Sequence, residues 1–393
     1  MKTKYLLATA TALVLFLINV NLLQGQSWTL TGALSPVTNW TYLAMSADGT
    51  RLVAAIGFYS GGIYISTNSG NTWNLTSAPS NIWTSVASSA DGSKLIAAAS
   101  HFATAGPIFT STNYGATWNQ ANVRSNIWSS VASSADGIKL VAATRGSSTP
   151  TPIYTSADSG VSWTSNGWPS PMNWNCVASS SDGSILAAAG ESSSLYVSTN
   201  SGTAWYTIKT PIYFPQAVAA SADGKTLIVG GAGLFITTNF GATWKTNFSA
   251  EFNYSPVACS ADGSRLLVAE DGTIYQTSRS GANWTSTSVG SVIRSVVSSA
   301  DGNELAVTAS DGGIWMWRAT PVPKLNITST SNGLAFCWPI PSANFMLQQN
   351  FNLNTKNWVT LTNTPTLDLT SLENHTVLSL TATNCFYRLI STP

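Results

Sequence analysis

The amino-acid sequence predicts an all-β fold: a seven-bladed β-propeller closed by its N-terminal strand, followed by a small C-terminal β-sandwich. Three observations lead to this prediction. A short Asp-Gly signature recurs at nearly regular steps, a second signature ending in Trp recurs between its copies, and both stop before Pro321. Regular recurrence of one supersecondary unit is typical of radial repeat folds.

The first signature is Ala/Ser-Asp-Gly, preceded by a strand of small residues and followed by an apolar strand. An Asp-Gly pair suits a tight β-hairpin because Gly readily adopts a positive φ. Small residues suit the crowded centre of a propeller, where the inner strands meet. The aspartates are Asp48, Asp91, Asp136, Asp182, Asp223, Asp262 and Asp301, separated by 43, 45, 46, 41, 39 and 39 residues. Seven hairpins are therefore predicted.

The second signature is Ser/Thr-x-Asn/Asp-x-Gly-x-x-Trp, with Arg279 replacing Asn/Asp in the sixth and last copy. The Asn or Asp can accept backbone N–H groups of a turn, the Gly can take the left-handed conformation, and the Trp can pack beneath the hairpin. These residues are Asn68, Gly70, Trp73, Asn113, Gly115, Trp118, Asp158, Gly160, Trp163, Asn200, Gly202, Trp205, Asn239, Gly241, Trp244, Gly281 and Trp284.

This signature resembles the Asp-box, or BNR, repeat of sialidases, sortilin-type receptors and photosystem-assembly propellers. The resemblance implies a propeller in which the boxes are structural and lie on the face opposite the binding site.

The seventh box is missing, because the chain leaves the repeat after Trp317. At the other end, Trp28 precedes Trp73 by 45 residues, which is also the step from Trp73 to Trp118. We therefore expect the N-terminal strand to complete the last blade, which removes an open sheet edge. The predicted domains are a signal peptide at 1–25, the propeller at 26–320 and the β-sandwich module at 321–393.

The N-terminus favours export. Lys2 and Lys4 precede an apolar stretch from Leu6 to Val20, and Gly25 lies at a plausible cleavage site. An uncleaved membrane anchor is the alternative, although the stretch is short and interrupted by polar residues. We expect a secreted, periplasmic or cell-surface protein that is monomeric and not inserted in a membrane after cleavage.

Charge is scarce throughout the chain. Charged residues make up 8% of it and the formal net charge is +1, whereas globular proteins average about 25% charged residues. Nucleic acid is therefore not an expected partner.

Four cysteines occur. Cys337 and Cys385, both in the C-terminal module, could form a disulfide in an exported protein. Cys176 and Cys259 occupy different positions of non-adjacent repeats, so we expect buried free thiols there.

Aromatic residues recur eight positions before the Asp of each Asp-Gly turn. They are Trp40, Trp83, Trp128, Trp174 and Tyr254, with Pro215 and Ile293 in the two remaining copies. Such a ring could stack on sugars or hold a partner's apolar side chains. The alternative is that these residues pack between neighbouring blades.

A sialidase-like hydrolase would need several arginines to bind a carboxylate, together with catalytic acids. Arg124, Arg145 and Arg294 map near the face opposite the boxes, and Glu191, Glu251 and Glu270 are the candidate acids. They form no recognisable pair by spacing. No cofactor is expected, and no metal is expected because His101 and His375 lie in different domains.

The sequence thus favours an exported, non-catalytic binding propeller whose ligand is a glycan or a protein. A sialidase-like exo-glycoside hydrolase is one alternative. An assembly or maturation factor for a membrane complex is another.

Overall fold

The computed structural model describes residues 28–32, 40–101, 104–146, 151–166, 173–191, 194–211, 214–249, 255–278, 280–319, 325–330, 333–339, 345–351, 355, 357–361, 366–368, 373–378 and 386–391. Within these ranges the secondary structure consists of β-strands. None of these described residues belongs to a helix long and apolar enough to cross a membrane. The predicted signal peptide lies outside them.

Seven four-stranded antiparallel sheets, the blades, follow one another in the described part of Ser27–Arg318, which forms one compact unit. Each blade runs from an inner strand to an outer strand in chain order, except that the outer strand of blade 7 is β1, Thr29–Leu30.

The first four blades consist of β2 (Trp40–Met45), β3 (Leu52–Ile56), β4 (Ile63–Ser66) and β5 (Asn74–Leu75); β6 (Trp83–Ser88), β7 (Leu95–Ala99), β8 (Ile108–Ser111) and β9 (Asn119–Gln120); β10 (Trp128–Ser133), β11 (Leu140–Thr144), β12 (Ile153–Ser156) and β13 (Thr164–Asn166); and β14 (Trp174–Ser179), β15 (Leu186–Gly190), β16 (Ser194–Ser198) and β17 (Tyr206–Lys209). The other three consist of β18 (Ala217–Ala220), β19 (Leu227–Gly231), β20 (Gly233–Thr237) and β21 (Lys245–Ser249); β22 (Val257–Cys259), β23 (Leu266–Glu270), β24 (Thr273–Thr277) and β25 (Thr285–Ser288); and β26 (Ile293–Ser298), β27 (Glu304–Ala309) and β28 (Ile314–Arg318), completed by β1.

The N-terminal strand closes the propeller, as predicted. Thr29 pairs with Met316 and Leu30 with Trp315, and the Thr31 N–H extends the ladder to the Ile314 carbonyl at 2.9 Å. Trp28 is buried beside this strand. β28 is therefore not left as an open sheet edge along these residues.

A ring of backbone hydrogen bonds joins the inner strands at their Asp-Gly ends. The residue before each Asp donates its N–H to the corresponding carbonyl of the next blade, at 2.7–2.9 Å. Among the described residues this ring runs Ala47, Ala90, Ala135, Ser181, Ala222, Ala261, Ala300 and back to Ala47. Adjacent blades are thus in direct backbone contact at this end of the central channel.

The two signatures form the turns that were predicted. In the first box, Thr72 N–H donates to Asn68 Oδ1 at 2.9 Å, and Gly70 has a φ of 80°. The preceding Ser69 donates its N–H to the carbonyl of Thr50, in the Asp-Gly turn of the same blade. The Asp-Gly turns and the boxes therefore share one face, here called the turn face. The loops between second and third strands and the connections between blades lie on the other, the second face.

The C-terminal unit begins at Ala319 and contains two sheets. One has the order β29, β30, β34, β33 and the other β32, β31, β35. Phe336 and Trp338 from the first sheet and Leu347 and Tyr387 from the second share one buried cluster, which is the arrangement of a small β-sandwich. The strands are β29 (Asn326–Thr330), β30 (Gly333–Pro339), β31 (Phe345–Asn350), β32 (Val359–Thr360), β33 (Thr366–Asp368), β34 (Glu373–Leu378) and β35 (Phe386–Ser391).

Candidate binding face

The four tryptophans considered as a ligand surface are buried between blades. Trp40 and Trp83 are 0% exposed, and Trp128 and Trp174 are 1% exposed. Trp83, for example, belongs to a buried cluster that also contains Val53 and Ile63 of the preceding blade. The prediction that these indoles bind ligand is therefore wrong, and the alternative of packing between blades is correct for them. Tyr254 lies outside the described residues.

Hydrogen bonds hold some of these indoles in place, whereas the Trp40 Nε1 has no partner among the described residues. The Trp83 Nε1–H donates to the Gly61 carbonyl at 2.8 Å, and the Trp128 Nε1–H donates to the Gly106 carbonyl at 2.7 Å. Each acceptor belongs to the second-face loop of the preceding blade. Each indole thus fixes the position of the loop beside it.

The inner strands carry a β-bulge where they enter the channel from the second face. Five registers shift immediately after the first strand residue. The residues inside these bulges are Thr41, Thr84, Ser129, Asn175 and Arg294. Bulges re-aim side chains and are common beside functional sites.

Three of the bulge residues bond within their own blades. Thr41 Oγ1 accepts the Gly57 N–H, while the Thr84 and Ser129 hydroxyls donate to the carbonyls of Ala98 and Ala143. The longer side chains of Asn175 and Arg294 instead reach adjacent blades. At two places around the mouth of the channel, the side chain in the bulge therefore contacts a neighbouring blade instead of its own.

The first place is the junction of blades 7 and 1. The Arg294 guanidinium carbon lies 4.3 Å from the centroid of the Phe58 ring, a distance typical of a cation–π contact. Phe58 is 49% exposed and its neighbour Tyr59 is 68% exposed. A cation and two exposed aromatic rings thus meet solvent here.

The second place is the junction of blades 3, 4 and 5. Arg145, directly after β11, donates from Nη2 to the Asn175 Oδ1, and the Asn175 amide donates to the Pro215 carbonyl at 2.9 Å. Asn173 accepts the Gly146 N–H and donates to Glu191 Oε2, both at 2.8 Å. Two asparagines therefore hold the Arg145 loop in place.

Tyr42 connects the two places electrostatically. Burial raises the pKa of the Tyr42 hydroxyl, and the positive charges of Arg145 and Arg294 both oppose that rise. Both guanidinium groups therefore lie within electrostatic reach of one phenol. The charge of Arg124, the third predicted arginine, is not among those that act on Tyr42, and no contact among the described residues joins any of the three arginines to Tyr42 directly.

Neither guanidinium forms an ion pair with a described carboxylate. The ion pairs within the described residues join Lys225 to Asp223 and Arg318 to Glu304. The partners of Arg145 and Arg294 are instead an amide oxygen and an aromatic ring. Their positive charge remains available at the mouth.

The candidate acids are distributed over separate blades. Glu191, in blade 4, accepts a hydrogen bond from Asn173. Glu270, in blade 6, accepts one from the buried Ser255 hydroxyl. Glu251 lies outside the described residues. Glu191 and Glu270 therefore do not form a catalytic pair on one blade or on adjacent blades.

The two cysteines of the propeller are free thiols, as predicted, although each residue is half-buried rather than buried. Cys176 and Cys259 are free, and burial raises the pKa of each thiol to about 12. Cys385 lies outside the described residues, so its disulfide with Cys337 stays a prediction.

Sequence reasoning missed Tyr42 and Phe58. Tyr42 occupies the position held by Ser85, Ser130 and Ser295 in other blades. That departure from the repeat was the available signal. Phe58 belongs to a loop that varies from blade to blade, so no comparison among repeats could have singled it out.

Comparison with known proteins places the chain by fold. No protein-family model and no curated protein matches it. Similar solved structures include YCF48 bound to D1 peptide, with 15% identity, a TM-score of 0.56, and coverage of 75% of this chain and 97% of that chain. YCF48 from Cyanidioschyzon merolae has 14% identity, a TM-score of 0.57, and coverage of 75% and 99%.

The GH74 xyloglucanase from Xanthomonas campestris is also similar, with 14% identity and a TM-score of 0.59. The match covers 80% of this chain but 60% of the xyloglucanase chain. Similarity at these identities establishes the β-propeller fold. Function must be argued from the site.

Proposed function

We propose that this chain is an exported, non-catalytic binding propeller that holds a carboxylate-bearing segment of a partner protein at the second-face mouth of its channel. The observation that carries the proposal is the placement of Arg145 against Asn175 and of Arg294 against Phe58 at the second-face mouth, with no described carboxylate paired to either arginine. Guanidinium groups bind carboxylates through directed, charge-assisted hydrogen bonds. An anionic group is therefore the complementary ligand.

The surroundings of the arginines favour a protein partner over a glycan. The tryptophans that would have offered a sugar-stacking platform are buried, while Phe58 and Tyr59 remain exposed beside Arg294. Aromatic rings next to arginine are typical of the energetic centres of protein interfaces. One propeller of similar fold was solved with a peptide bound, which is consistent with this choice.

The opposite end of the channel favours entry from the second face. The ring of backbone hydrogen bonds brings neighbouring inner strands into contact at the turn face. A ligand segment would therefore approach from the second face, where Arg145 and Arg294 lie.

The hydrolase alternative receives less support from the site. Retaining and inverting glycosidases generally use two acids flanking the scissile bond, and Glu191 and Glu270 lie on non-adjacent blades. An assembly factor would be one form of the protein-binding role proposed here. The identity of the partner would then distinguish it.

The test is binding of the purified protein to an array of short synthetic peptides. Each peptide is spotted in an acidic form and in a form with Asp and Glu replaced by Asn and Gln. We expect retention on a subset of acidic spots, with weaker binding to their neutral forms and at higher salt. Equal binding to both forms, or retention on a glycan array instead, would contradict the proposal.

Two matched variants locate the site. Arg294→Gln removes the cation above Phe58, while Arg51→Gln removes a similar cation 4.2 Å above the Tyr114 ring on the turn face. Loss of one charge-assisted hydrogen bond costs about 1.5–3 kcal/mol, so Arg294→Gln should weaken binding at least about tenfold. Arg51→Gln should bind like the unaltered protein, and equal losses in both variants would place the ligand elsewhere.

A further inference from the structure

The seams between blades share a recurring contact on the turn face. The side chain three residues after each Asp of the Asp-Gly turns lies over the Gly of the next blade's turn. Arg51 lies over Gly92 and Lys139 over Gly183, so closely that a Cβ on either glycine would clash with the covering side chain. These glycines also have positive φ. The covering side chain therefore seals the seam.

At four of the seven described seams the covering side chain is a base. Lys139, for example, contributes to the lowering of the pKa of Asp182 in the next blade, and its Nζ bonds to Ser201 in the next blade's box at 3.1 Å. Ile185 and Thr226 are uncharged at two further seams. The four bases are Arg51, Lys94, Lys139 and Arg265, which lie over Gly92, Gly137, Gly183 and Gly302.

The seam that closes the ring carries an acid instead. Glu304 lies over Gly49 of blade 1, whose added Cβ would stand 2.5 Å from the Glu304 Cβ and Cγ. Its Oε2 accepts a hydrogen bond from Arg318 Nε at 2.9 Å, and Arg318 also donates to the Ser69 carbonyl in the first box. At this seam the base that contacts blade 1 is therefore Arg318 of β28, and Glu304 holds it in place.

We infer that the seam between blades 7 and 1 is a proton-dependent latch, which holds more firmly when Glu304 is protonated and opens more readily when Glu304 is ionised. The charged groups facing Glu304 are Arg318 on β28, Asp301 in the turn of its own blade, and Asp48 in the turn of blade 1. Two like charges therefore oppose its ionisation and one opposite charge favours it. Arg265 of blade 6 in turn acts on Asp301.

The sign of the effect follows from these surroundings. Burial raises the pKa of Glu304 above its ordinary value of 4.5, Arg318 counters that rise, and Asp301 and Asp48 reinforce it. The closed seam consequently binds a proton more tightly than an open seam would. Glu304 therefore makes its full contribution to the stability of the closed seam below pH 4.5, and this contribution declines as pH rises through the raised pKa.

Two backbone amides report on this seam and on a matched control. The Ala300 N–H donates to the Ala47 carbonyl across the closing seam at 2.8 Å, and the Ala135 N–H donates to the Ser181 carbonyl across the seam of blades 3 and 4 at 2.7 Å. The control seam is covered by Lys139. Native-state hydrogen exchange, corrected for the intrinsic rate at each pH, measures the opening of both.

The ratio of Ala300 protection to Ala135 protection should fall as pH rises from 4.5. Each unit by which closing raises the pKa corresponds to about tenfold in this ratio. Glu304→Gln, which keeps the shape but cannot ionise, should make the ratio independent of pH. A ratio that is flat in the unaltered protein, or that falls equally in Glu304→Gln, would overturn the inference.

A second variant keeps the inference testable if Glu304→Gln does not fold. Asp48→Asn removes one like charge from the seam, so the fall in the protection ratio should become smaller. An unchanged or steeper fall in Asp48→Asn would also overturn the inference.

Discussion

Replacing Trp83 and Trp40 by Phe should have different effects on stability, although both indoles are fully buried at equivalent positions. The Trp83 Nε1–H donates to the Gly61 carbonyl at 2.8 Å. The Trp40 Nε1 is buried without a hydrogen-bond partner among the described residues. The reason lies in blade 7, where a short turn through Asp311 and Gly312 replaces the longer loop that supplies the acceptor elsewhere.

The difference can be estimated because the change in side-chain volume is the same at both sites. Trp83→Phe loses a hydrogen bond with a net value of about 1 kcal/mol. The Gly61 carbonyl keeps a second bond from the Asn81 N–H at 3.0 Å, so it is not left without a partner. Trp40→Phe loses no such bond and removes a buried donor that costs about 1–3 kcal/mol while it has no partner. Trp83→Phe should therefore be less stable than Trp40→Phe by about 2–4 kcal/mol.

Urea unfolding followed by circular dichroism measures this difference directly. Trp128→Phe serves as a replicate, because the Trp128 Nε1–H donates to the Gly106 carbonyl at 2.7 Å. It should resemble Trp83→Phe. Equal losses in all three variants would refute the reasoning, since they would mean that Trp40 has an equivalent partner or that the hydrogen bonds contribute nothing.

Two further predictions concern the repeat. Hydrogen bonds from the Ser180 hydroxyl and from Ser184 lower the pKa of Asp182 from 3.8 to about 2. The Asp182 turn should therefore contribute stability that is fully present above pH 3.8 and disappears as pH falls to about 2. Asp182→Asn should flatten that part of the acid-unfolding curve, and an unchanged curve would contradict this prediction. Cys176 occupies the position at which Ser130 of the preceding blade accepts the Val177 N–H at 3.2 Å. If the thiol serves as the same acceptor, Cys176→Ser should be close to neutral in urea unfolding whereas Cys176→Val should cost about 1–3 kcal/mol, and equal stabilities of the two variants would argue against that role.

The fold was predictable because its determinants are local. An Asp-Gly turn needs one residue with positive φ and one side-chain acceptor, and Gly49 with its φ of 74° and Asp48 supply both. The same holds for the boxes. Closure followed from the equal steps between Trp28, Trp73 and Trp118, since a missing strand at one end matched a spare strand at the other.

The binding face was harder to predict because bulges change which side a residue faces. Along a regular strand Trp128 and Ser130 would lie on the same side. In the structure they pair with the adjacent residues Thr144 and Ala143, so they face opposite sides. A bulge depends on pairing with the next strand, and the sequence of one strand does not reveal it. The sequence therefore left open whether the tryptophans face a ligand or the neighbouring blade, and in the structure they face the neighbouring blade.

The seam of blades 7 and 1, where the two ends of the propeller join, carries a distinctive contact on each face. Arg294 of blade 7 and Phe58 of blade 1 meet on the second face, while Glu304 of blade 7 covers Gly49 of blade 1 on the turn face. A ligand that contacts Arg294 and Phe58 together would span the same seam that Glu304 weakens when ionised. Because a ligand stabilises the state that binds it, saturation with an acidic peptide should raise the protection of the Ala300 amide more than that of the Ala222 amide, which donates to the Ala261 carbonyl across the seam of blades 5 and 6. If the peptide protected both amides equally, the mouth and the closing seam would be energetically independent.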